Sequence, residues 1–427
     1  MREHRHEARP STLLVALAPL VAVAAAVVVT RWALQSGSLI DTVVFRTAAH
    51  AVLRGQSPYF LRTEVPFVYP PAGIFAALLA VAGPNVHVAA TLWAVVSLAA
   101  LARTTWILVG LAWPALDRRG AGQRTCWLFA VACVLEPTRI ALSFGQVGLL
   151  LLWLTVEGLR GQPAAAGRTW LVGVAAAMKL TPAVVLVGLA AAGRWRSAMW
   201  GVAGFVAAGA AAAAVAPVAA RDYVGGAWRL AHDVNSTRDV LNHSLIGVSA
   251  VVGLPSWMGL ALAALALVAG ITVTALLWRR HDELGGLSTV LVTGLLVSPV
   301  SWVHHWVAAF PALVLLLRGI STRRRGARVL LATALVGMVA GTDALALHGG
   351  GLLDPGGIWS TALQEWYVVW GLALVCWAAS PVVRNRSAPA PVTSSCPAHR
   401  LTVTSPRPDS DAVTAGRRGS RHPGPPP

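Results

Sequence analysis

Two imidazoles, two hydroxyls and a proline stand together in Ser298-Pro-Val-Ser-Trp302-Val-His304-His305-Trp306, between the apolar runs Leu287–Val297 and Val307–Leu317. Such groups are costly to hold in or beside hydrocarbon, and oily proteins keep them where something binds or reacts. Adjacent histidines point about 100° apart on a helix, and no third ligand follows one turn later, so a shared metal fits poorly. One imidazole facing a phosphate or a sugar hydroxyl is more natural chemistry. A histidine satisfied by a backbone carbonyl beside Pro299 is the structural alternative.

Further residues could do chemistry. Asp41 directly follows the first apolar run and precedes an amphipathic stretch, Val43–Leu53. A carboxylate at a membrane surface can take a proton from a sugar hydroxyl as that hydroxyl attacks. It can also be a solvated loop acid paired with Arg46. Lys179, the only lysine, lies in Lys179-Leu-Thr-Pro182 within an apolar stretch. Proline there frees backbone groups, half-helix ends bind anions, and a lysine suits a phosphate; snorkelling to an interface is the plainer role. Gln146 reads as helix–helix glue one turn into an apolar helix. Asn242 and Ser244 read as caps for the helix that follows.

These residues need positioning elements, and composition says of what kind. The chain has 427 residues, 56% hydrophobic and 12% charged, with mean hydropathy +0.64. Several runs approach the roughly 20 residues that cross a bilayer. They are too long for barrel strands and lack an amphipathic face, so an all-α polytopic membrane protein follows. The net charge of +17 suggests loops held on the cytoplasmic side rather than nucleic-acid binding. The four cysteines show no metal-type or CxxC spacing.

Expected spans are Ser11–Leu34, His87–Trp113, Thr125–Leu142, Phe144–Leu159, Ala198–Ala219, Trp257–Trp278, Leu284–Pro299, Trp302–Leu317, Val329–Leu347 and Thr361–Pro381. Ala72–Gly83 is too short to span and reads as interfacial or re-entrant. Trp170–Ala192, broken at Lys179–Pro182, reads as two re-entrant half-helices. This topology puts 25 arginines inside and eight outside, as the positive-inside rule requires. It divides the chain into a cytoplasmic arm (1–10), a transmembrane domain (11–382) and a disordered cytoplasmic tail (383–427), Pro-, Ser-, Thr- and Arg-rich. The unusual polar residues then gather on the outer face: Asp41 with Gly55-Gln-Ser-Pro-Tyr59 and Phe67-Val-Tyr69-Pro-Pro71; Glu136-Pro-Thr-Arg139 with Phe144-Gly-Gln146; Asp222 through Asn242-His-Ser244; and the Ser298–Trp306 stretch.

That order of motifs (Asp41, Gly-x-x-Pro-Tyr59, Phe-x-Tyr-Pro-Pro71, Phe-Gly-Gln146, Lys-x-Thr-Pro182, Asn-x-Ser244 and Ser-Pro-x-Ser-Trp-x-His-His305) resembles glycosyltransferase family 87, the actinobacterial polyprenol-phosphate-mannose-dependent mannosyltransferases of GT-C fold. The resemblance runs from about Leu13 to Pro381. Two positions depart from the family's usual pattern: Gly148, where Asn is frequent, and His243, where Gln is frequent. The resemblance implies a GT-C bundle of about 10–12 transmembrane helices with an extracytoplasmic first loop. It implies a lipid-linked phosphosugar donor, polyprenyl-phosphate-mannose, and a lipid-linked glycan acceptor such as a phosphatidylinositol mannoside or lipomannan. Asp41 matches the family's catalytic base, and transfer would proceed with inversion on the outer face of the cytoplasmic membrane. Candidates to hold the donor phosphate are His304, His305, Lys179, Arg54 and Arg139. Candidates to contact substrate are Tyr59, Tyr69, Gln146, Asn242, Ser244, Ser298 and Trp302. No metal or other cofactor is demanded. Two alternatives remain at this point: transfer of another polyprenyl-phosphate-linked sugar such as arabinofuranose, and a transporter or flippase. The second predicts charges at the bilayer midplane and paired broken helices.

Overall fold

The structure, a computed structural model, describes residues 12–35, 39–61, 63, 65–81, 83–229, 241–341 and 365–386. The arm 1–10 and most of the tail expected at 383–427 lie outside the described residues. All regular structure described is helical.

The chain opens with α1 (Thr12–Gln35), the amphipathic α2 (Ile40–Leu53) and, after an extended loop, α3 (Ile74–Ala80). It continues through α4 (Val86–Ala112), α5 (Arg118–Val134), α6 (Glu136–Phe144), α7 (Gly148–Leu159), α8 (Trp170–Met178), α9 (Ala183–Ala191), α10 (Trp195–Val215), α11 (Pro217–Val224) and α12 (Leu245–Val251). Last come α13 (Ser256–Arg279), α14 (Glu283–Val297), a 3-10 turn (Val303–Ala309) running into α15 (Phe310–Ser321), α16 (Ala327–Ala340) and α17 (Trp366–Arg386). Among the described residues, five segments are long and apolar enough to cross a bilayer: Ala16–Gln35, Val86–Ala112, Trp195–Val215, Ser256–Arg279 and Val303–Ser321. α7, α14, α16 and α17 are shorter apolar helices at positions where spans were expected. The molecule is therefore a polytopic helical membrane protein.

Two expectations are corrected in detail, and a third segment gains its local structure. The span expected over Thr125–Leu142 is two helices, α5 and α6, bent by 69°. Leu135 is extended there (ψ 136), because Pro137 at the start of α6 cannot continue a helix from the preceding turn. The span expected from Phe144 begins instead at Gly148, so Gln146 lies in the turn before α7. The short segment at Ala72–Gly83 is a 3-10 turn (Pro71–Gly73) followed by α3, with Ile74, Ala76, Ala77 and Ala80 buried in the protein.

Charges sort the bundle into two ends. At one, Glu157 pairs with Arg103, Arg160 and Arg168, Glu283 with Arg194, and Asp282 with Arg318. At the other lie Asp41, Tyr69 and Gln146. α8 and α9 form a hairpin between them. Arg168, before α8, and Arg194, after α9, are both anchored at the arginine end, while Lys179, at the tip, reaches His305. The re-entrant reading of Trp170–Ala192 therefore fits the geometry. The hairpin packs on α10 backbone to backbone: a Cβ on Gly173 or Gly204 would collide with the Gly201 or Trp170 carbonyl.

Candidate active site

The local folding around Gln146 is dictated by one glycine. α6 ends on Gly145 in the left-handed conformation (φ 78), which other residues adopt at a cost. A Cβ there would also strike the Thr42 hydroxyl. The chain can thus turn tightly against the first turn of α2, which carries Asp41. Gln146 lands beside it: its Nε2 donates to Asp41 Oδ2 at 2.6 Å, and its Oε1 accepts from the Tyr69 hydroxyl at 3.0 Å. Trp93, a residue that carried no signal in the sequence, donates from Nε1 to the Gln146 carbonyl at 3.2 Å. Tyr59 donates its hydroxyl to the Tyr69 carbonyl at 2.9 Å. Its ring packs on Phe67, which in turn packs on Phe45 and Tyr69. Tyr59 is therefore a support for the site rather than a residue presented to it.

α2 lies outside the candidate membrane spans. Burial pushes the Asp41 carboxyl up to about 6, opposed by the Lys179 charge and by hydrogen bonds from Gln146 and Tyr69. Burial, with the neighbouring Asp41 charge, raises the Tyr69 hydroxyl well above its ordinary range, so it stays a donor. A carboxylate of this kind is ionised near neutrality and basic enough to accept a proton in a transition state.

The second half of the site is cationic. Lys179 Nζ lies 2.6 Å from His305 Nε2 and 5.6 Å from the Tyr69 ring centroid. An ammonium has only donors, so His305 Nε2 accepts. His304 is buried, with its ring 5.7 Å from Phe144 and 4.4 Å from His305. In the 3-10 turn the two imidazoles stand about 120° apart, one toward Lys179 and one into the packing. Beneath the Lys179–His305 pair runs a cleft of about 60 Å³, walled by Leu151, Leu152, Val184, Leu291, Leu295 and Val307.

The loop that carries the histidines is pinned from outside. Asn242 donates to the Pro299 carbonyl at 2.9 Å and accepts from the Ser301 amide at 2.8 Å. It thus staples the loop instead of capping a helix. Ser244 does cap α12, accepting from the Gly247 amide at 3.0 Å. Ser298 donates to the Val300 carbonyl at 2.7 Å, and the Trp302 ring packs 5.9 Å from that of His305. These three residues shape the loop.

Two arginines proposed for the phosphate stand apart. Arg54 follows the far end of α2, 13 residues on from Asp41, a helical rise of about 20 Å. Arg139 lies over the Trp32 ring and donates to the Val339 carbonyl, facing α1 and α16. In sequence both looked eligible only because they fell in outer segments. Of the polar cluster expected around Asp222 to Ser244, residues 230–240 lie outside the described residues.

A partly buried carboxylate with amide and phenol donors around it and a lysine–histidine pair above an apolar cleft meet at one end of a helical membrane protein. The chain belongs to glycosyltransferase family 87, whose pattern matches residues 67–299. It is a membrane glycosyltransferase of the α-mannosyltransferase type. Asp41, Tyr59, His304 and His305 lie outside that matched stretch. The chain is 33% identical over 339 residues, 76% of its length and 73% of the relative's, to a polyprenol-phosphate-mannose-dependent alpha-(1-2)-phosphatidylinositol pentamannoside mannosyltransferase of Mycobacterium tuberculosis. The enzyme of the same description from Mycolicibacterium smegmatis is 33% identical over 67% of this chain and 70% of its own. A polyprenol-phosphate-mannose-dependent alpha-(1-2)-phosphatidylinositol mannoside mannosyltransferase of Mycobacterium tuberculosis is 28% identical over 79% of this chain and 83% of its own. No solved structure matches the chain.

Proposed function

We propose that the protein transfers mannose from polyprenyl-phosphate-mannose to a hydroxyl of a phosphatidylinositol-mannoside-type glycolipid, on the outer face of the cytoplasmic membrane. The observation that carries this reading is the meeting of Asp41, Gln146 and Tyr69 with Lys179 and His305 at one end of the bundle. The donor phosphate sits at Lys179 and His305, and its first isoprene units enter the apolar cleft below. Asp41 removes the acceptor proton as the acceptor oxygen bonds to the anomeric carbon. The bond from that carbon to the phosphate oxygen breaks on the opposite face, with inversion, and polyprenyl phosphate leaves with the bonding electrons. Phosphate is already a good leaving group, so Lys179 and His305 need only stabilise its growing charge. Gln146 and Tyr69 orient the base. Orientation in the membrane follows from the arginines, which crowd the end opposite Asp41.

The reading is tested with membranes containing the protein, radiolabelled polyprenyl-phosphate-mannose or, in parallel, radiolabelled polyprenyl-phosphate-arabinofuranose, and a panel of phosphatidylinositol mannosides of increasing length. The expected result is label in one lengthened glycolipid. Label transferred from polyprenyl-phosphate-arabinofuranose alone, or label crossing the membrane without transfer, would overturn it.

A further inference from the structure

The arginine end holds a second pocket that the transfer reaction does not use. It has a volume of about 460 Å³ and is lined by Arg280, His281, Asp282, Arg318, Thr322 and Arg324, within the roughly 300–1,000 Å³ range of small-ligand sites. It lies where α13 turns into α14 and where α15 ends. α14 spans the 15 residues from this end to Val297, so about 22 Å of helix separates the pocket from the histidine loop.

Its lining is basic, and two of its arginines, Arg318 and Arg324, are held in place. Four basic side chains face one carboxylate, and that carboxylate is already engaged. Asp282 Oδ1 accepts from the Gly285 amide at 3.0 Å and from Arg318 Nη2 at 2.7 Å. Arg324 stacks 3.5 Å over the Trp377 ring and donates to the Trp377 carbonyl at 2.8 Å. Guanidinium groups fixed this way are prepaid for binding: little side-chain entropy is left to lose when an anion arrives.

The backbone adds an independent observation. Among the described residues, three that are not glycine have positive φ: Leu39, His281 and Arg323. Leu39 lies two residues before Asp41. His281 lines the second pocket, and Arg323 sits between two residues that do. The ends of α13 and α15 are positions where glycine is the ordinary choice, and a side chain there is disfavoured. Departures of this kind cluster at functional sites, and of these two His281 lines the pocket.

We propose that this pocket binds a phosphate group at the cytoplasmic face of the membrane, that of an anionic phospholipid headgroup or of a soluble phosphate ester. Arginine forks take two phosphate oxygens at once. Basic pockets between helix ends on the cytoplasmic side are where anionic headgroups bind. α13 meanwhile presents Leu260, Leu262, Leu265 and Val268 outward, as a helix beside lipid does.

The test is native mass spectrometry of the full chain in detergent, with dioleoyl-phosphatidylglycerol or dioleoyl-phosphatidylcholine added, and inorganic phosphate as competitor. The expected result is retention of phosphatidylglycerol about tenfold above phosphatidylcholine, with the preference lost in Arg280→Gln and Arg318→Gln. His281→Gly relieves the backbone and should fold at least as well as the parent, yet retain about threefold less phosphatidylglycerol. Displacement by inorganic phosphate supports a soluble ester as the ligand; resistance to it supports the lipid. Equal retention of the two lipids together with no effect of phosphate would overturn the proposal. So would an undiminished preference in a folded His281→Gly protein.

Discussion

Asp41 and the paired carboxylates of the arginine end are treated in opposite ways. At the arginine end, Glu157 sits among three arginines, Glu283 on Arg194 and Asp282 on Arg318. At the other end, Asp41 has neutral hydrogen-bond partners, Gln146 and Tyr69, and Lys179 contacts a histidine instead of an acid. A close ion pair would hold a carboxylate firmly ionised and weakly basic. Amide and phenol donors orient it while leaving it able to take a proton. The ion pairs at the arginine end fix helices to one another, while at the Asp41 end the carboxylate keeps neutral partners.

Substitutions should break that contrast in a graded way. Asp41→Asn keeps the shape and removes the base, so transfer should fall by about 10³-fold or more in a membrane assay, with expression intact. Lys179→Met should cost about 10²-fold by removing charge from the leaving phosphate, chiefly in kcat. Retained activity would move the phosphate elsewhere. Gln146→Leu should lower transfer about tenfold through loss of a charge-assisted hydrogen bond. Arg194→Gln belongs to the other end. Leaving Glu283 unpaired in a partly buried position should cost about 2 kcal/mol of stability, read as a lower thermal midpoint with unchanged activity per folded molecule.

Much of this contrast is legible in the sequence. Asp41 stands out through the resemblance, which matches it to the family's base, and Lys179 because it is the only lysine, three residues before a proline. The hairpin at Lys179–Pro182 follows from that proline and from arginines on both flanks. What stays hidden is what depends on close approach in space. Gly145 reads as an ordinary helix end until Thr42 is found against it. Trp93 looks like one more apolar residue of a long helix, though its indole N–H holds the Gln146 backbone. Arg54 and Arg139 show the reverse: falling in segments expected on the same side does not bring a residue to the site. Asn242 looked like a cap because caps are short-range, whereas its partners, Pro299 and Ser301, are more than fifty residues away.

The central claim is that Asp41 is the base and that Gln146 tunes it. It is tested most directly by the pH dependence of mannosyl transfer at saturating donor and acceptor, in the parent and in Gln146→Leu. The ionised form of Asp41 is the active one, so activity should rise with pH through an acidic limb at about 6. The Gln146 hydrogen bond favours the ionised form, so its loss should move that limb to higher pH. A limb at the same pH in both proteins, or activity that stays level well below pH 6, would contradict the assignment.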